Sequence, residues 1–181
     1  GVQDPGCFVR AVRGQENVYG VNEFADNGDG TITDNATGLM WQQADDGNTY
    51  DWKDALAYAT QSELADYSDW RLPNTKELQS IVDYDKTTFP AIDESFFICT
   101  NSDSWFWTST TQGDFKYTAC YLAFGKAYSK DNSDATEYYD WHGAGAQRSD
   151  PKFGEIEDYL LESVNASDSL RIRNYVRMVR N

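Results

Sequence analysis

The sequence predicts a single α+β domain, in which a pair of helices is set among short strands. Three observations point there. Apolar residues recur at helical spacing in two places, at Trp52, Ala55, Leu56 and Ala59 and at Leu78, Ile81 and Val82. Runs rich in β-branched and aromatic residues stand on either side, such as Leu39-Met40-Trp41 and Trp105-Phe106-Trp107-Thr108-Ser109-Thr110. Turn signals carrying glycine and asparagine punctuate the chain between them.

Taken in order, the first strand pattern is Phe8-Val9-Arg10-Ala11-Val12-Arg13-Gly14, which returns at the far end as Tyr175-Val176-Arg177-Met178-Val179-Arg180-Asn181. Two explanations stand: the ends pair in one sheet, or residues 1–14 are the tail of a preceding repeat of the same domain. Next, Asn27-Gly28-Asp29-Gly30 and Asn35-Ala36-Thr37-Gly38 bracket the alternating stretch Thr31 to Asp34. Asn and Gly supply the positive φ that tight hairpins need, so this is a β-meander leading into Leu39-Met40-Trp41. Asp51 is placed to cap a helix running from Trp52 to about Ala65. After the rigid connector Asp69-Trp70-Arg71-Leu72-Pro73, Asn74 and Glu77 have capping-box spacing and open a shorter helix. The chain turns irregular beyond Asp83. Two more strands are expected at 105–110 and 119–124, and a closing one over 170–180. Between them, residues 125–170 show weak periodicity and are rich in Asp, Ser, Gly and Tyr; a loop region that long in a compact domain is usually functional.

Composition sets outer limits. The 181 residues are 40% apolar and 15% aromatic, enough to bury a proper core. Thirty Asp plus Glu against 15 Lys plus Arg give a net charge of −15, a field that repels phosphate backbones and argues against nucleic acid as a partner. No apolar run approaches the roughly 20 residues that cross a bilayer, so membrane insertion is not expected. No cationic leader opens the chain, and Gly1 reads as a mature or trimmed start. Of the three cysteines, Cys99 and Cys120 flank a strand and could close a loop worth roughly 3 kcal/mol, leaving Cys7 free or paired with another chain; three buried thiols are the equal alternative.

With these motifs in hand, the sequence resembles the family typified by the C-terminal domain of the Legionella collagen-like adhesin. The resemblance rests on Asp26-Asn27-Gly28-Asp29-Gly30-Thr31-Ile32-Thr33-Asp34, then Thr37-Gly38-Leu39-Met40-Trp41, Asp69-Trp70-Arg71-Leu72-Pro73-Asn74 with Lys76-Glu77-Leu78, Trp107-Thr108-Ser109-Thr110 and the closing Tyr175 to Arg180. His142-Gly143-Ala144-Gly145-Ala146-Gln147-Arg148-Ser149-Asp150-Pro151 resembles a subset of members. The resemblance implies a C-type-lectin-like fold, with two helices on a small twisted, mostly antiparallel sheet and long irregular loops. It also implies export to the cell surface or the extracellular space. The adhesin binds sulfated glycans, a property that a chain of charge −15 does not inherit. Relatives usually carry Cys where Met178 stands, so a disulfide stapling the termini loses its partner for Cys7.

Two candidate sites follow. Asp26, Asp29 and Asp34 with neighbouring Asn oxygens could wrap calcium, a hard ion wanting oxygen ligands, or simply stabilise two hairpin turns. The run is not an EF-hand, since Ala25 and Ala36 fall where that loop needs its first and last acids. In the long segment, Tyr138, Tyr139, Trp141, His142 and Arg148 make a ligand-binding candidate, flat rings beside hydrogen-bonding edges suiting glycan or protein. Packing in the core is the alternative use for those rings. In an extended closing strand, Arg171, Arg173, Tyr175 and Arg177 share a face that could grip an anion or pair with the protein's own acids. No catalytic signature is present, and His142 is the chain's single histidine. The sequence thus reads as an extracellular recognition or adhesion module and not an enzyme; a self-associating structural module of a surface appendage is the alternative.

Overall fold

The computed structural model describes residues 8–15, 20–130, 136–160 and 169–181. Within them the chain is α+β, with small antiparallel sheets and few helices. The meander forms as expected: β1 (Phe24–Asp26), β2 (Thr31–Asp34) and β3 (Leu39–Gln42) pair antiparallel in sequence order. Gly38 sits at φ +76°, the left-handed conformation that closes the β2–β3 turn, and its amide donates to the Asp34 carbonyl at 2.8 Å.

Helix α1 (Trp52–Thr60) starts where the Asp51 carboxylate accepts from the Asp54 amide. It ends five residues short of the expected Ala65, because Ala65 and Asp66 take positive φ (54° and 64°) in a tight turn that Trp70 braces with an indole N–H to the Leu64 carbonyl, 3.0 Å. Helix α2 (Thr75–Gln79) opens with a complete capping box between Asn74 and Glu77, and Arg71 grips the same Glu77 carboxylate through two bonds of 2.8 and 3.0 Å.

The second sheet sets the layers. Strands β4 (Trp105–Thr111) and β5 (Thr118–Ala123) pair antiparallel. Alternation sends Trp105, Trp107, Ala119, Tyr121 and Ala123 to one face, against Ala55 and Ala59 of α1 and against Trp70 and Leu72. Phe106, Leu122 and Phe124 face the other way, onto Leu78, Ile81 and Val82 and onto Ile32 and Trp41 of the meander. Gly125 lets the end of this strand approach the 102–103 turn; a Cβ there would lie 2.4 Å from the Ser102 carbonyl oxygen.

The long segment is more ordered than its sequence suggests. It holds a two-stranded ribbon of β6 (Tyr128–Ser129) and β7 (Tyr139–Asp140), the strand β8 (Gln147–Pro151) that extends the second sheet beside β5, and a short helix α3 (Ile156–Leu160). The closing segment is less regular than expected. Only β9 (Val179–Arg180) is a strand, pairing with Met40 and Trp41 of β3. Its place beside β3 corrects the pairing of the chain's ends: residues 8–15 form no strand and lie exposed.

The shared face of Arg171, Arg173, Tyr175 and Arg177 also dissolves, since each side chain goes to a different place. Arg171 stacks 4.3 Å over Trp105, Arg173 pairs in the open with Glu155 at 3.5 Å, and Arg177 is wholly buried. Its Nη1 donates to the carbonyls of Gln42 and Gln43 at 2.8 and 2.7 Å. Its Nη2 donates to Ile98 at 2.9 Å and to the Cys99 sulfur at 3.3 Å. The Phe97 and Phe106 rings lie 5.3 and 5.1 Å from the guanidinium carbon, and the equally buried Asp45 supplies the countercharge at 3.8 Å. Cys99 and Cys120 are free thiols, which corrects the bridge between them; Cys7 lies outside the described residues.

Removing one partner of a buried pair leaves an uncompensated charge, and the cost is about 3–5 kcal/mol. Arg177→Met is therefore expected to lower the free energy of unfolding by that amount in urea titrations, with the slope against denaturant unchanged.

Candidate functional site

The aromatic segment is shaped by one carboxylate. Asp140 Oδ1 accepts from the amides of Ala127 at 2.8 Å and Gly143 at 3.1 Å, folding the chain after β7 back onto the start of the ribbon. The His142 amide donates to the Ala127 carbonyl at 3.3 Å, and the Gly145 amide ties the loop to β5 at the Ala123 carbonyl, 2.8 Å. With the backbone engaged inward, the rings are left outside: Tyr138, Tyr139 and Trp141 are 44, 48 and 56% exposed. The Lys130 ammonium lies 4.8 Å over the Tyr138 ring, and the Tyr139 hydroxyl donates to Glu137 at 2.7 Å. His142 Nε2 meets the Arg148 guanidinium. The structure thus brings Arg148 of β8 beside the loop of Tyr139, Trp141 and His142.

Arg148 also lines a cavity of about 240 Å³ at the outer edge of the β4–β5–β8 sheet, together with Gln112, Cys120, Tyr121, Gln147, Ser149 and Asp150. Its wall is a network. Gln112 Oε1 accepts from the hydroxyls of Thr118 and Ser149, both at 2.7 Å, and Asp150 Oδ2 accepts from the Tyr121 hydroxyl at 2.5 Å and the Arg171 amide at 2.7 Å. Burial, and then the Asp150 charge, push the Tyr121 phenol far above its ordinary pKa, so it remains a donor. Of these residues, the sequence by itself points to Arg148. Gln147, Ser149 and Asp150 sit in a polar strand without apolar alternation, and Gln112 and Tyr121 reach the cavity only through strand pairing.

The acidic run is placed differently. Asp26 accepts from the Gly28 amide at 2.8 Å and from Gln43 at 3.1 Å; Asp29 accepts from the Thr31 amide and hydroxyl at 3.1 and 2.6 Å. Asp34 is fully buried and accepts from the amides of Glu23 and Ala36 and the side chains of Asn22 and Thr37, at 2.8–3.1 Å. Among the described residues, no three His, Cys, Asp or Glu side chains gather as a metal site would require.

The fold and this surface define a class: a small α+β domain with helices packed on sheet faces and an aromatic, polar-edged loop region displayed at one side. The chain belongs to the Lcl C-terminal domain family, whose model matches residues 30–142, more than half of its length. That span covers the meander from its first turn, both main helices and the loop as far as His142, while β8 lies beyond it. No curated protein and no solved structure matches the chain.

Burial alone would raise the Asp34 carboxyl, but the bonds from Glu23, Asn22, Thr37 and Ala36 outweigh it and hold the pKa below its ordinary value. A depressed folded-state pKa gives stability that is complete above the unfolded value of about 3.9 and is lost as pH falls through the folded one. Asp34→Ala is expected to cost about 1–3 kcal/mol at pH 7. It should also flatten the fall in stability below about pH 4, read from urea midpoints at successive pH values.

Proposed function

We propose that this domain is a recognition or adhesion module displayed at the cell surface or outside the cell. It binds a glycan or a protein through Tyr138, Tyr139, Trp141, His142 and Arg148 and the polar cavity beside them. One observation carries the reading: three large rings stand about half exposed on a loop whose backbone is tied inward, and the same loop reaches a hydrogen-bonding cavity through the contact of His142 with Arg148. Rings buried for packing would be covered; rings left at a polar edge match what sugar faces and protein hot spots use. Membership of the Lcl C-terminal domain family is consistent with a surface adhesion-associated role, and among the described residues no helix is long and apolar enough to cross a membrane. The C-type-lectin-like architecture that the sequence resemblance implies suits the same role.

The reading is of binding and not of catalysis: the chain's one histidine faces an arginine at the surface, and Gln112, Tyr121, Ser149 and Asp150 of the cavity wall are engaged in hydrogen bonds within the protein. It also dispenses with calcium. Asp26, Asp29 and Asp34 each accept protein donors that cap their turns, which accounts for these carboxylates without an ion. Nucleic acid is disfavoured by the charge of −15.

A glycan array and a panel of host-surface proteins, probed with the wild-type domain and with Trp141→Ala, test the assignment. Loss of a central ring is expected to weaken the recognised ligand by more than tenfold, about 1.4 kcal/mol or more, with melting unchanged. Binding that Trp141→Ala and Arg148→Ala leave intact would move the site elsewhere. For calcium, thermal melting in excess ion and then in chelator should superimpose; a shift of several degrees abolished by Asp29→Ala would restore the metal site.

A further inference from the structure

The two ends of the chain carry one six-residue pattern, and the structure shows its work at one end. In Tyr175-Val176-Arg177-Met178-Val179-Arg180, Val176 and Met178 pack with Trp105 and Trp107, while Tyr175 and Val179 pack with Phe106. Arg177 fills the buried site opposite Asp45, and Arg180 pairs with Asp69 at 2.6 Å while lying over the Tyr67 ring. Every position has a task. The two valines go to opposite layers and the two arginines to a buried and a surface acid.

At the other end, Phe8-Val9-Arg10-Ala11-Val12-Arg13 repeats these residue types in the same places, with Phe for Tyr175 and Ala for Met178. Here nothing is covered: Phe8, Val9 and Val12 are 104, 91 and 96% exposed. Three apolar side chains of strand-forming type in open water call for a partner surface. The complementary surface in this chain is already filled, since β9 lies on β3 and Arg177 on Asp45. Exchange of ends between two copies is also a poor fit, because Ala11 in the place of Met178 would leave a void in this domain's core, so a domain that residues 8–13 close must carry a larger side chain opposite Ala11.

We infer that residues 8–13 are the closing segment of another domain of this kind, lying earlier in the same polypeptide. Val9 and Val12 belong to its core layers, Arg10 occupies its buried carboxylate site and Arg13 its surface ion pair. The partner surface is thereby specified: an edge strand like β3, followed by a buried aspartate and by free backbone carbonyls.

The test compares the 181-residue chain with the longer polypeptide that includes the residues encoded before Gly1. In the 181-residue chain, Arg10→Ala should change neither melting nor sedimentation, which is that of a monomer. In the longer polypeptide the same substitution should lower one of two calorimetric transitions by about 10 °C and leave the other in place. Hydrogen exchange keeps the outcome readable if that variant fails to fold: the wild-type amides of residues 9–13 should exchange at least ~100-fold more slowly in the longer polypeptide than in the 181-residue chain. Equal exchange in both, or no domain of this kind before Gly1, would overturn the inference. A dimer of the 181-residue chain that dissociates on removal of residues 1–14 would overturn it too, placing the segment on a second copy.

Discussion

One guanidinium without solvent contact joins the parts of this fold that the backbone alone would leave separate. Arg177 collects the carbonyls at the end of β3, the carbonyl and thiol at Ile98 and Cys99, and the Phe97 and Phe106 rings. Asp45, which balances its charge, is itself held by the amides of Gly47 and Thr100 at 3.0 and 2.9 Å. Burying an arginine is expensive unless it is paired and its donors are met. Here each terminal nitrogen donates twice while the buried Nε is left without a hydrogen-bond partner, so much of the cost is offset as three distant segments are fixed in register. Cys99 follows from the same arrangement: burial raises its thiol pKa against the opposing pull of Arg177, and it stays a neutral partner.

The second consequence concerns the surface. With meander, closing segment and central sheet locked together, the loops that carry Tyr138, Tyr139 and Trp141 need not place those rings in the core. Asp140 and the Ala123 backbone tie them down at a few points, and their rings remain outside. The most perturbed groups behave accordingly. Tyr121, in the wall of the polar cavity, and Arg171, stacked on Trp105, are both shifted chiefly by burial, and both feel the Asp150 charge. Tyr50, pushed up to about 12 by burial and then by Asp46, lies on the opposite face of the sheet from Phe106 and serves packing there.

Legibility in the sequence followed distance along the chain. The hairpins at Asn27-Gly28-Asp29-Gly30 and Asn35-Ala36-Thr37-Gly38, the Asp51 cap and the Asn74–Glu77 box were readable because each is decided within a few residues. The helix over-run to Ala65 shows the limit of periodicity, since the left-handed turn there depends on Trp70. Arg177 looked like one of a row of surface cations because its partners stand 78 to 135 residues away. Strand β8 was hidden for the same reason, as Gln147-Arg148-Ser149-Asp150-Pro151 has no apolar alternation and is a strand only because β5 lies beside it. The aromatics of the long segment stand out in the sequence as a cluster, but only the structure separates exposed rings from packed ones, and it adds the cavity wall reached through Arg148.

That separation is the central claim, and stability measures it most directly. Equilibrium urea unfolding of the triple variant Tyr138→Ala/Tyr139→Ala/Trp141→Ala should give a free energy within about 1 kcal/mol of wild type, as surface substitutions do. A loss of several kcal/mol, of the size that truncating core aromatics produces, would show that these rings hold the fold together and would contradict their proposed role in recognition.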